Sequence, residues 1–78
     1  MKAQQVLEYV AKQLVDHPDD VEVVAVDGDR NTVLELHVND EDLGKVIGKR
    51  GRTAKALRTL VKAAASLDGD NVTVDIVD

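Results

Sequence analysis

Two glycines three residues apart, Gly48 and Gly51, interrupt what would otherwise be one helical pattern. Before them, Leu43 and the Val46-Ile47 pair give a short helix its apolar contacts, and Gly48 stops it. After them, apolar residues recur at helical spacing from about Arg52 to Leu67. The chain must therefore stop one helix and start another across Gly48-Lys49-Arg50-Gly51. That demands a tight turn between two helices, with glycine where a Cβ would obstruct close approach to the backbone.

The flanking segments follow from periodicity. Ala3, Val6, Leu7, Val10, Ala11 and Leu14 recur at helical spacing. The opening stretch, Met1-Lys2-Ala3-Gln4-Gln5, leads straight into this pattern, and Asp16-His17-Pro18 ends it, because the residue before proline avoids the α region. Val21–Val26 is short and β-branched. Thr32–Val38 places Leu34, Leu36 and Val38 on one face. Asp27-Gly28-Asp29-Arg30 reads as the turn of a hairpin, with Gly28 free to take positive φ. Asn39-Asp40-Glu41-Asp42 supplies capping oxygens and acids to the start of the short helix. Asp68-Gly69-Asp70-Asn71 turns into a last strand, Val72–Val77, with Val72, Val74 and Ile76 on one face. The order is α-β-β-α-α-β, an α+β fold, and 78 residues make one domain, residues 1–78.

Charge is distributed unevenly. Lys45, Lys49, Arg50, Arg52, Lys55, Arg58 and Lys62 lie in one eighteen-residue stretch with no acid, for a formal +7. The remainder has three bases and fifteen acids, or −12, so the net −5 conceals a polar molecule. An acidic body weakens loose binding of a polyanion away from the basic patch. With no cysteine there is no disulfide, thiol nucleophile or thiolate metal site. No opening signal sequence and no apolar run of transmembrane length is read, so the expectation is a cytoplasmic protein without a membrane. Tyr9 is the single aromatic residue, which argues against an aromatic base-stacking platform.

On the long helix, Ala54, Leu57, Leu60, Val61 and Ala64 share one side at 100° per residue. Arg52, Lys55, Arg58 and Lys62 fall in an arc about 120° wide on the other. Solvated helix faces normally mix signs for i,i+4 pairing, and this one does not. The arc adjoins Lys49 and Arg50, so turn and helix form one positive surface at a helix N-terminus, whose N–H groups face the turn. A Gly-x-x-Gly turn with a basic middle is a compact clamp for a single-stranded nucleic-acid backbone. Such turns also occur merely to connect helices; the preceding Val46-Ile47 pair, the two central bases and the following helix set this one apart. His37, beside Val33 and Glu35 on a strand face, reads as a surface residue, and His17 offers little. Asp40-Glu41-Asp42 reads as helix capping in preference to a metal site. No nucleophile–base pair, paired carboxylates or P-loop occurs, so neither an enzyme nor a cofactor is expected.

Val46-Ile47-Gly48-Lys49-Arg50-Gly51 resembles the characteristic loop of the KH domain, and the element order resembles its type II arrangement. The run from Leu43 to Thr59 is similar, more specifically, to the KhpA family of small bacterial proteins, once called YlqC, and the likeness covers essentially the whole chain. It implies a three-stranded mixed sheet covered on one face by three helices. It implies a cytoplasmic protein that binds single-stranded RNA, as an RNA chaperone or post-transcriptional regulator, with no enzymatic activity. It also implies a homodimer and pairing with KhpB, the larger protein also called Jag or EloR, in a family linked to cell elongation and division. On this reading Gly48 to Gly51 hold the RNA backbone and Ile47 meets bases. Lys45, Lys49, Arg50, Arg52, Lys55, Arg58 and Lys62 supply positive charge. Ala54 stands where a larger aliphatic residue is common among KH domains. The alternative is a protein-docking module, since Ala56, Ala63, Ala64 and Ala65 let another backbone approach. The candidate contact surface lies around Thr59, Ala63 and Ser66.

Overall fold

The computed structural model describes residues 2–78, so Met1 of the opening stretch lies outside the described residues. Helix α1 spans Ala3–Leu14. Ala3, Leu7 and Ala11, four residues apart, all point inward and are buried. Val15 is already extended at φ −100°, ψ 161°, and a single 3₁₀ turn over Pro18–Asp20 leads to the sheet. Proline fits that first position because its fixed φ suits a helical turn.

Strands β1 (Glu22–Asp27) and β2 (Thr32–His37) pair antiparallel, from Glu22 opposite His37 to Asp27 opposite Thr32. The hairpin forms as the sequence predicts, but Gly28 is not the reason, because its φ is not positive. The Gly28 N–H donates to the Asn31 carbonyl at 2.8 Å, and Thr32 Oγ1 donates to Asp27 Oδ1 at 3.1 Å, which closes the reversal without a left-handed residue.

A 3₁₀ turn, Asp40–Asp42, leads into α2 (Leu43–Ile47), and α3 runs from Arg52 to Leu67. Strand β3 (Val72–Ile76) lies parallel to β2, with Thr32 beside Val72 and Leu36 beside Ile76. The sheet order β1-β2-β3 makes it mixed, with β2 central. Alternation along the strands buries Leu34, Leu36, Val72 and Val74 on one face, which the helices cover. Leu7, Leu36, Val46 and Val61 are sealed from solvent and join all three helices to the central strand.

The inward stripe of α3 differs from the one read off the sequence. It consists of Ala54, Leu57, Val61 and Ala65. Leu60 remains 46% exposed, bordering open space beside Val10 and Leu14 of α1. No helix among the described residues is long and apolar enough to cross a membrane.

Candidate nucleic-acid interface

Three residues, Gly48, Lys49 and Arg50, separate the end of α2 from the glycine that opens α3. Gly48 takes φ 76°, ψ 171°, a conformation essentially confined to glycine. Its N–H closes α2 by donating to the Gly44 carbonyl at 2.8 Å. A Cβ here would stand 2.2 Å from Thr53 Oγ1 and 2.9 Å from the Thr53 backbone nitrogen. Gly51 is also left-handed, at φ 73°, ψ 13°. Around it nothing lies within 4 Å of where a Cβ would sit, so the missing side chain leaves its outer side open to a ligand.

Between the glycines, Arg50 is the one non-glycine residue with positive φ among those described, at φ 59°, ψ 25°. A bulky residue in this region carries a conformational cost, and such strain gathers at binding sites. The consequence is directional: the left-handed pair Arg50-Gly51 reverses the chain so that Lys49 and Arg50 stand exposed at the α3 N-terminus. The N–H of Gly51 donates to the Gly48 carbonyl at 3.1 Å, and that of Arg52 donates to the Lys49 carbonyl. Two of the donors at this helix end are thus engaged within the turn, where the sequence suggested that they faced a ligand.

Lys49, Arg50, Arg52, Lys55, Arg58 and Lys62 are all exposed, and none forms an ion pair among the described residues. Ile47 borders them with 36% of its surface accessible. Lys45 is different. Its ammonium meets Asp16 and lies 3.9 Å from Asp42 Oδ1, and the hydrogen bond to Asp16, opposed by some burial, raises its pKa.

Asp42 departs furthest from its expected role. It gives α2 no side-chain cap; Asn39 caps the preceding turn instead, accepting from the Glu41 N–H at 2.9 Å. The Asp42 side chain turns inward and is 1% exposed. Its carboxylate accepts from the N–H groups of Asp16 (3.2 Å) and His17 (3.0 Å), and His17 Nδ1 lies 2.9 Å from Oδ2. With an ionised carboxylate as acceptor, the proton sits on Nδ1. Burial alone would raise the Asp42 pKa, but the hydrogen bonds from the His17 ring and the two N–H groups outweigh it and lower the value. The same hydrogen bond raises the His17 pKa against partial desolvation, helped by the charges of Asp42, Glu41 and Asp20. Sequence reasoning passed over His17 and Thr53, which carry no local signal of these contacts.

A second surface runs along the seam between α1 and α3. Shallow apolar concavities lined by Val6, Val10, Ala56, Ala63, Leu67 and Leu60 meet at Leu60. Leu67 is 89% exposed. Arg52 and Lys55 form one rim of this strip.

A mixed three-stranded sheet in the order α-β-β-α-α-β, with a glycine-bracketed turn between its second and third helices, defines a type II KH domain. The family model described as "KhpA/KhpB, KH domain" matches residues 4–76, and the chain belongs to that family. A protein of Leifsonia xyli subsp. xyli named "RNA-binding protein KhpA" is 64% identical over 72 residues, 92% of each chain. The protein of that name from Clostridium acetobutylicum is 55% identical over 73 residues, 94% of this chain and 97% of the relative. The one from Borreliella burgdorferi is 42% identical over 74 residues, 95% and 90% of the two chains. No solved structure gives a significant match.

Proposed function

We propose that the chain binds single-stranded RNA, with the Gly48–Gly51 turn against the sugar–phosphate backbone and Ile47 toward the bases. The observation that carries this reading is the set of six exposed cations, without ion pairs among the described residues, that runs from a left-handed turn along the helix it opens. Lys49 and Arg50 meet the backbone held at the turn; Arg52, Lys55, Arg58 and Lys62 extend phosphate contact along α3. The relatives named as RNA-binding proteins support it. The cellular role that fits is a cytoplasmic RNA chaperone or post-transcriptional regulator, binding RNA without transforming it. Replacing Lys49 and Arg50 together by Asp abolishes RNA binding and leaves the fold intact, because neither side chain contributes to the core. Gel shifts with circular dichroism test this. A folded double variant of unchanged affinity overturns the site.

The strip around Leu60 favours a second, compatible reading. An apolar surface bordered by small residues suits docking of a second copy or of a KH protein such as KhpB, the other name in the family description. Salt separates the two roles: RNA affinity falls steeply as salt rises, whereas a pure docking module has no RNA affinity even at low salt.

A further inference from the structure

Asp42 is the one buried charged side chain among the described residues, and RNA contact makes no use of it. Helix α2, which delivers the chain to Gly48, has five residues. A helix that short does not hold itself by its own hydrogen bonds, so its pose is set by what it packs on. Val46 anchors its inner side in the core. Leu43 packs partly buried against the same core, and the polar contacts add directional ties at this end of the helix. Asp42, immediately before α2, accepts from the N–H groups of Asp16 and His17 and from the His17 ring. Lys45, on the helix itself, reaches Asp16. Both ties join the same two segments, α2 and the connection after α1, and Gly48 follows α2 directly.

We propose that Asp42 is a positioning residue for the glycine turn: with His17 and Lys45 it latches α2 to residues 16 and 17, and so fixes the pose in which the turn meets RNA. The inference rests on the RNA-binding reading and deepens it. It also gives Lys45 a different task from the other cations, since its charge is already opposed by carboxylates. Without the Asp42 charge, two N–H groups compete for a weaker acceptor, and the start of α2 shifts with the turn attached.

The test measures affinity for a fluorescein-labelled oligouridylate across a salt series, together with the amide NMR spectrum of the free protein. Asp42→Asn, close in shape, weakens binding by about tenfold. It leaves the log–log salt slope unchanged, because no phosphate contact is lost, and it shifts the amide resonances of Gly48 to Gly51. Lys45→Met behaves likewise: it weakens binding with an unchanged salt slope and shifts the same amides. If Asp42→Asn does not fold, Lys45→Met decides. Wild-type affinity with unmoved turn amides in Asp42→Asn overturns the proposal. So does a salt slope reduced by about 0.7 in Lys45→Met, since that marks a phosphate ligand. If the parent protein does not bind the oligouridylate, the RNA reading fails, and the turn amides alone judge the latch: shifted resonances support it and unmoved ones refute it.

Discussion

Gly48 answers two constraints at once. Its backbone lies where L side chains are strained, and the space beside its Cα is filled by Thr53. Gly48→Ala therefore costs about 2 kcal/mol of stability, within the range for a residue forced into a sparsely populated conformation. Urea unfolding measures it. Adding Thr53→Ala recovers only part of the loss, because the Thr53 backbone nitrogen stays 2.9 Å from the new Cβ. Full recovery would show that the hydroxyl, not the backbone, set the limit. Arg50 bears a milder version of the same strain with its side chain free in solvent. A cation in that position supplies charge on the exposed turn itself.

At the scale of elements, α3 combines three surfaces on one helix: a buried stripe, a basic arc and an exposed apolar strip. Replacing Lys55 or Lys62 by Ala weakens RNA binding modestly and to the same degree for different sequences. Each lost phosphate contact lowers the log–log salt slope by about 0.7. A variant that changes sequence preference while keeping its slope marks a base contact instead. The bounds of α3, the hairpin and the last strand were legible because periodicity and turn residues are local signals. The Gly48–Gly51 turn was legible for the same reason. The fate of Leu60 was not, since helical spacing says that a face is apolar but not where α1 crosses it. Asp42 was misread for a related reason. An acid just before a helix looks like a cap, and its true partners, Asp16 and His17, lie 26 and 25 residues away. The pairing of Lys45 with Asp16 is equally non-local.

For the whole molecule, the exposed strip along α1 and α3 predicts self-association. Of the surface read from the sequence, around Thr59, Ala63 and Ser66, Thr59 and Ala63 line this strip, whose concavities meet at Leu60. Ala63→Glu places a charge on that strip and yields a folded monomer from a dimeric parent, as light scattering reports. A monomeric parent at high concentration removes the dimer, and a dimer that survives the substitution moves the contact elsewhere, such as the open edge of β1. Leu60 projects about 160° around α3 from Lys62. Docking along the strip therefore leaves Arg58 and Lys62 uncovered, while Arg52 and Lys55 lie on its rim. Two joined copies hold their turns at a fixed separation, so a strand gripped by one is delivered to the other at high effective concentration. Short oligonucleotides then report only single-site affinity, whereas RNA long enough to span both turns gains avidity by a factor on the order of 100 or more. Strand length, as much as base sequence, becomes what such a protein selects.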